Sequence, residues 1–591
     1  MTGRMAGNDG LLTALENLRR LLDHDLFPLE IGDVASHRRA LKELRGQLDD
    51  YLLPRVAAMD APLLAVVGGS TGAGKSTLVN SLACADVTEP GVLRPTTLAP
   101  TLVANPADEP WFGRQNVLPG LARTTGRGRG EPGTLRVVTA VTLPPGLALL
   151  DAPDIDSVVT ANREIAAQLL AAADLWLFVT TAARYADEVP WGFLRSARER
   201  STALAVVLDR VPPEALEPVL AHLTRLLDEN GLSGTPLFSV PEVALPEENA
   251  RLPEPAVRDV RDWLAGIAAD AHARARIVRR TLAGALDSIS TRVPALADAA
   301  ERQRAGLADL HRMVGSAYGA AMATFDDGIR DGSLLRGEVL ARWQDFIGTG
   351  DLMRSLESRI GWLRERVVSA FTGRPAPDTR LRVALETGVE ALIRSAADTA
   401  AERALEAWSG TPAGHDVLER AGVVSAGRLG RASSALPERS AAAVRAWQGY
   451  VLDLVAEEGA ERRTTARLAS FSVNGAGLLL MLMVFASTGG LTGIEVGIAG
   501  GTSVLSQKLL EAVFGDQAVR TLTQAARDDL RGRVRAVLDE DAARFTSLLE
   551  GAGPPEDVAP ALRQAARAVR DHRDEVEAPD APIVEQADRS R

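Results

Sequence analysis

The hydrophobic pattern changes character several times along the chain. Between residues 10 and 58, Leu11, Leu12, Leu15, Leu18, Leu21 and Leu22 recur at helical spacing, and a second helical segment runs from His37 to Val56. From 63 to 270 the chain alternates. Apolar runs at Leu63–Val67, Leu135–Leu143, Leu147–Leu150, Leu175–Thr180, Ala203–Leu208 and Pro236–Val240 predict buried strands. Stretches near 75–84, 160–172, 189–199, 214–229 and 255–270 predict helices between them. This alternation predicts an α/β domain with a doubly wound, mostly parallel sheet, whose ligands bind at the carboxyl ends of the strands. From 271 to 466 the strand signal is lost. A composition rich in Ala, Arg, Leu and Glu predicts long helices there, with turns at Arg374–Asp378 and Gly410–Gly414.

From Leu468 to Gln507 the only charged residue is Glu495. Two apolar stretches, Val473–Ser487 and Leu491–Leu505, flank a natural bend at Thr488–Gly490. Either the stretch is a helical hairpin buried in a large all-α core, or it dips into a bilayer. The membrane reading is preferred because Met481, Met483, Val484 and Phe485 come with no polar face. Gly497, Gly500 and Gly501 would let two helices approach closely, and Arg462, Arg463 and Arg467 could meet anionic headgroups. The expected organisation is an N-terminal helical segment (1–60), an α/β domain (61–270), a helical stalk (271–466), the hydrophobic hairpin (467–515), a returning helical segment (516–575) and an acidic, disordered tail (576–591).

Composition narrows the partners. A net charge of −12 argues against a protein that coats nucleic acid. A single cysteine, Cys84, excludes an intramolecular disulfide framework and a cysteine-based zinc site, and its apolar surroundings predict a core position. The seven histidines show no metal-ligand spacing. With no signal-like N-terminal pattern, the expected location is the cytoplasm.

Candidate chemistry starts at Gly69, Ser70, Thr71, Gly72, Ala73, Gly74, Lys75 and Ser76, which fit the phosphate-binding pattern G-x-x-x-x-G-K-[ST]. A predicted strand precedes the octapeptide and a helix opening at Thr77 follows it. Glycines let successive N–H groups turn inward on a phosphate chain, and the helix N-terminus adds partial positive charge. Lys75 would reach the β- and γ-phosphates and Ser76 would hold Mg²⁺. Only three of the 66 basic residues are lysine (Lys42, Lys75 and Lys508), and one stands where a compact ammonium rather than a broad guanidinium is needed.

A second carboxylate on the Mg²⁺ side is expected at the end of an apolar strand, and Asp151 supplies it. The Asp151–Asp154 tetrapeptide has the form D-x-x-G with Asp154 in place of glycine, which puts a carboxylate beside phosphate. In the intervening segment Leu93–Pro100, Thr97, with Thr96 as its rival, could complete the Mg²⁺ shell and position water. After the strand Ala203–Leu208 comes Asp209-Arg210-Val211-Pro212. Arg210 can stack on a base, Pro212 cannot supply a base-reading carboxylate, and Asp209 is the shifted candidate.

This ordered set of motifs resembles the translation-factor-related GTPases, and among them the bacterial dynamin-like proteins. The motif resemblance covers about 63–240; beyond it only the architecture is similar. It implies GTP/GDP as ligands with Mg²⁺, hydrolysis coupled to binding or remodelling of the membrane, and GTPase domains that dimerise or oligomerise. It also implies a helical stalk with a membrane-inserting tip on the inner face of the cell membrane, membrane lipids as partner, and no nucleic acid. Two other readings remain open: a P-loop ATPase or regulatory switch whose helices bind a protein partner, and a scaffold that binds nucleotide without turnover.

Overall fold

The computed structural model describes residues 2–88, 99–113, 116–124, 133–157, 159–243, 251–330, 376–422, 427–461, 473–486, 510–511 and 514–577. Helices α1 (Thr2–Leu22), α2 (Val34–Gln47) and α3 (Leu53–Ala57) lead into β1 (Leu63–Gly69) and α4 (Lys75–Ala83). Next come β2 (Thr101–Ala104), α5 (Glu109–Gly113), β3 (Ala122–Thr124), β4 (Thr134–Thr139) and β5 (Leu147–Asp151). Then α6 (Thr160–Ala171), β6 (Leu175–Thr181), α7 (Glu188–Glu199) and β7 (Ala203–Val211) alternate, followed by α8 (Leu216–Glu229), β8 (Leu237–Pro241) and α9 (Glu254–Ala269). The described residues beyond it form helices α10 (Ala271–Arg330), α11 (Ala376–Ser409), α12 (Pro412–Arg420), α13 (Leu436–Glu461), α14 (Val473–Ala486), α15 (Asp516–Thr546) and α16 (Val558–Glu577). The chain forms two compact units. One comprises Met1–Phe27, Asp33–Arg302 and Pro554–Arg591; the other comprises Pro28–Gly32 and Gln303–Gly553.

The first unit holds an eight-stranded sheet in the order β3-β4-β2-β5-β1-β6-β7-β8. Among the described residues, only the β2–β5 pair is antiparallel. The sheet is doubly wound because β1 is apolar on both faces. Leu64 and Val66 pack with α6, α7 and α8 residues such as Leu169, Leu194 and Leu223, while Leu63, Ala65 and Val67 pack with Leu78 and Val79 of α4 and Val260 and Leu264 of α9. The register brings Val67 level with Asp151, Gly69 level with Val179, and Thr181 level with Asp209. The carboxyl ends of β5, β1, β6 and β7 therefore share one edge of the sheet. The structure adds β2 and β3, which the apolar pattern misses, and ends β4 at Thr139, short of the expected Leu143. At four and three residues, β2 and β3 are too short to show a period.

The N-terminal helices belong to this unit. Leu11, Leu15, Leu18 and Leu22 of α1 are fully buried against α10 residues such as Ile289 and Val293 and α16 residues such as Leu562 and Val569. Arg55 of α3 pairs with Asp174, which is 0% exposed and also accepts from the backbone N–H of Leu64 at 2.8 Å. Burial raises the Asp174 carboxyl, and the Arg55 charge opposes that shift. Cys84 is exposed, not in the core: it caps α4 in a left-handed conformation (φ 47°), which turns its side chain off the apolar face.

The second unit has its own core, drawn from α10 after Gln303 and from α11 to α15. Trp408 and Trp447 are buried and donate their indole N–H groups to the carbonyls of Leu310 (3.1 Å) and Ala526 (2.7 Å). The first half of the apolar stretch, α14, lies inside this core. Each residue from Leu478 to Phe485 is at most 5% exposed, and Phe485 packs on Trp447 with ring centroids 5.5 Å apart. A helix apolar all round is satisfied by such a core as well as by lipid. Among the described residues, no helix is long and apolar enough to cross a membrane. The second half of the stretch with Gly497, Gly500 and Gly501, the preceding Arg462, Arg463 and Arg467, and the tail beyond Glu577 lie outside the described residues.

Candidate nucleotide-binding site

The octapeptide sits on the ligand edge of the sheet, between the end of β1 and the start of α4. Two of its glycines are sterically required. Gly69 has φ 154°, and a Cβ there would strike the carbonyl of Val179 on β6. Gly74 is left-handed at φ 88°, and a Cβ there would strike the carboxylate of Asp209. The loop is tightened by a bond from the N–H of Ala73 to the carbonyl of Ser70 at 3.1 Å. Ser70 Oγ is buried and lacks a hydrogen-bond partner. Thr77 lies in the first turn of α4, next to the free amino end of that helix.

Lys75 is 6% exposed and points back along the loop. Its ammonium donates to the carbonyls of Gly69 and Ser70, both at 3.0 Å, and to Asp154 Oδ1 at 2.5 Å. Asp154, at the position where D-x-x-G has glycine, is thus the anion facing Lys75. Ser76 Oγ donates to Asp151 Oδ2 at 2.6 Å. Asp151 is 1% exposed, and its other oxygen, Oδ1, has no hydrogen-bond partner. Burial pushes its carboxyl up to about 6, against the opposing hydrogen bond from Ser76 and the charge of Lys75.

This pair fits Mg²⁺. A hard cation of this kind takes few protein ligands and keeps waters and phosphate oxygens around it, and a buried acceptor without a partner beside a serine hydroxyl matches that need. Ser76 would bind the ion directly and Asp151 Oδ1 would hold one of its waters. Among the described residues no group of three or more His, Cys, Asp or Glu converges as an all-protein cage. Thr96 and Thr97 lie outside the described residues. Asn80 holds the chain at Val87 and Thr88, its Oδ1 accepting from their N–H groups at 3.0 and 2.8 Å.

Asp209 ends its run in a different place from a base reader. Its carboxylate abuts Gly74 and accepts from the backbone N–H of Arg210 at 2.9 Å. Burial pushes it up to about 6. Arg210 is exposed and left-handed at φ 53°. Asp209 and Arg210 are therefore split: one braces the P-loop and the other faces outward.

Two further residues enter the site that the motifs do not reveal. Asp156 Oδ1 accepts from both the N–H (2.6 Å) and the hydroxyl (2.7 Å) of Thr71. Arg184, in the turn after β6, donates to the carbonyl of Thr71 at 3.1 Å and to Asp156 Oδ2 at 2.6 Å. Burial works to raise Asp156, but the bonds from Thr71 and the Arg184 charge outweigh it and hold the carboxyl below its ordinary range. Asp156 follows Asp154 by two residues and could have been suspected. Arg184 carries no sequence signal in a chain this rich in arginine.

No family model matches the chain, and no curated protein matches it. Among solved structures it is similar to a bacterial dynamin pair, described as oligomerised and as providing a mechanism for long-range sensing and tethering of membranes. That match has 10% identity, covers 97% of this chain and 95% of the other, and has a TM-score of 0.42. LeoA, a bacterial dynamin GTPase from ETEC, matches at 11% identity over 98% of this chain and 97% of its own, with a TM-score of 0.23. A variant of Era from Aquifex aeolicus bound to GDP·AlF4⁻ matches at 20% identity over 31% of this chain and 52% of its own, with a TM-score of 0.21. The functional reading rests on the site's own residues.

Proposed function

We propose that the chain is a Mg²⁺-dependent GTP-hydrolysing switch of the dynamin-like kind. The observation that carries the phosphate chemistry is the pairing of Ser76 with Asp151, beside a P-loop whose Lys75 is buried and already engaged with an anion. In this reading Gly72–Thr77 cradle the β- and γ-phosphates with N–H groups, Lys75 exchanges Asp154 for phosphate, and Ser76 and Asp151 hold Mg²⁺. Thr97 completes the metal shell and orients water. GTP as the preferred nucleotide rests on the motif resemblance, since Asp209 braces the loop and Pro212 offers no carboxylate.

The helical remainder is the output of the switch. Membrane lipids as the partner, oligomerisation through the nucleotide domain and a place on the inner face of the cell membrane all rest on the same resemblance and on the apolar stretch 468–507. The burial of α14 favours a second reading of that stretch: a core hairpin in a regulatory NTPase that acts on a protein partner.

Turnover measured with GTP and with ATP, with and without anionic liposomes, tests nucleotide, catalysis and membrane together. GTP turnover that rises on liposomes supports the first reading. Preference for ATP removes the GTP assignment, and flotation unchanged by deletion of 468–507 removes the membrane hairpin.

A further inference from the structure

Two cations and two carboxylates alternate along the start of the P-loop. Lys75 holds the carbonyls of Gly69 and Ser70, and Arg184 holds the next carbonyl, that of Thr71. Each cation is neutralised from one short loop: Lys75 by Asp154 and Arg184 by Asp156. That loop begins where β5 ends at Asp151, the Mg²⁺-side carboxylate. Its two acidic side chains therefore occupy the anion positions of the site. The Arg184 side chain is 38% exposed, but its hydrogen bonds hold it in place. Its Nε also donates to Asp187 at 2.9 Å, so all three of its nitrogens are engaged and the guanidinium plane is fixed.

We propose that Arg184 is a second phosphate-reading cation and a catalytic residue, supplied from within the chain, for the γ-phosphoryl group of a bound nucleoside triphosphate. The proposal rests on the nucleotide-hydrolase reading given above. A triphosphate that takes Lys75 from Asp154 breaks one of the ties between the loop 152–157 and the P-loop, leaving the Ile155 N–H bond to the Gly69 carbonyl and the Thr71 bonds to Asp156. Phosphate then competes with Asp156 for Arg184 as it does with Asp154 for Lys75. The guanidinium then donates to the transferring phosphoryl group across Thr71. In the transfer, the oxygen of water forms a bond to the γ-phosphorus while the bond from that phosphorus to the bridging oxygen breaks. The electron pair of the broken bond stays on the β-phosphate of the departing diphosphate. One proton of the water remains on the released phosphate and the other passes to solvent. The charge that gathers on the bridging and γ-oxygens is what a guanidinium stabilises.

The experiment is single-turnover hydrolysis of GTP by the full chain with Mg²⁺, together with binding of GDP alone and of GDP with aluminium fluoride. Arg184→Ala is expected to lower turnover by about 10³-fold and to lose the gain in affinity from aluminium fluoride, with GDP affinity within about twofold of the parent. Arg184→Lys, which keeps the charge and loses the fork, should fall between. Arg195→Ala, on the exposed face of α7, should match the parent and serves as the control for loss of a surface arginine. Turnover by Arg184→Ala or Arg184→Lys equal to the parent, or an equal loss of GDP and aluminium-fluoride binding, overturns the assignment and leaves Arg184 as a structural clamp. A parent chain that binds GTP without turnover overturns both this assignment and the hydrolase reading, and the parent measurement alone identifies that case.

Discussion

Asp154 carries the main departure from the phosphate-sensing pattern, and its side chain explains the departure. The carboxylate is 19% exposed and faces a lysine that is 6% exposed, so each neutralises the other in a poorly hydrated place. Incoming phosphate has to displace it. Asp154→Asn removes the competing charge while keeping the shape. A charged hydrogen bond is worth about 1.5–3 kcal/mol net, so nucleotide affinity should rise by about tenfold or more. Calorimetric titration reads this, and unchanged affinity would mean that Asp154 stays in place when nucleotide binds. Asp209 gives a pH signature. Its carboxyl is raised from 3.8 to about 6 by burial, so the folded state binds its proton more tightly than the unfolded state does. Below about pH 4 both states are protonated and nothing is lost; as pH rises through 6, the ionised side chain costs stability. Asp209→Asn is expected to raise unfolding free energy by up to about 2–3 kcal/mol at pH 8, with the gain shrinking toward zero at pH 4. Denaturant unfolding at the two pH values checks the sign. Equal gains at both would assign the effect to packing against Gly74 rather than to charge.

At the level of elements, the strand–loop–helix around Lys75 was legible because each part carries an independent mark: an apolar run, the required glycines and the lysine itself. The end of β5 was legible for the same reason, since Asp151 closes an apolar run; β7 was found but runs past Asp209 to Val211, beyond the expected Leu208. Arg184 was not, and Asp156 was marked only by its closeness to Asp154, because their roles come from the approach of two loops that no local pattern encodes. Asp209 was found and its direction was not: only the closeness of β7 to Gly74 decides where its carboxylate turns. The apolar stretch shows the opposite limit. A helix without a polar face reads the same whether protein or lipid surrounds it, and neighbouring helices decide. Here α13 and α15 cover α14, which makes a measurable claim. Phe485→Ala removes a fully buried ring from the core and should cost about 3–5 kcal/mol of stability in the absence of lipid. Denaturant unfolding of the full chain without liposomes reads it. A loss below about 1 kcal/mol would mean that α14 lies outside the core in solution.

At the level of the whole chain, sequence order and compact units do not coincide. The unit that carries the sheet is closed by both termini: α16, which begins at Val558, lies along α1, and their apolar faces meet with residues 282–300 of α10. Leu562 and Val569 are both fully buried there, as are Leu11, Leu15, Leu18 and Leu22. Burying a side chain of this size contributes about 1.5–3 kcal/mol, so α16 is worth several times the effect of an ordinary point substitution to this unit. A chain ending at Gly553 keeps every residue of the other unit and every residue of the nucleotide site, and lacks only this cover. Two unfolding transitions are expected in calorimetry of the full chain, one for each core. GTP with Mg²⁺ at about a hundredfold over its dissociation constant should stabilise one of them by about 2.7 kcal/mol, which identifies it as the sheet-bearing unit. In the shortened chain that transition should fall sharply or vanish, and the second should stay where it was. If the second transition moves instead, α16 supports the helical unit, and the grouping of the two termini around the nucleotide domain is wrong.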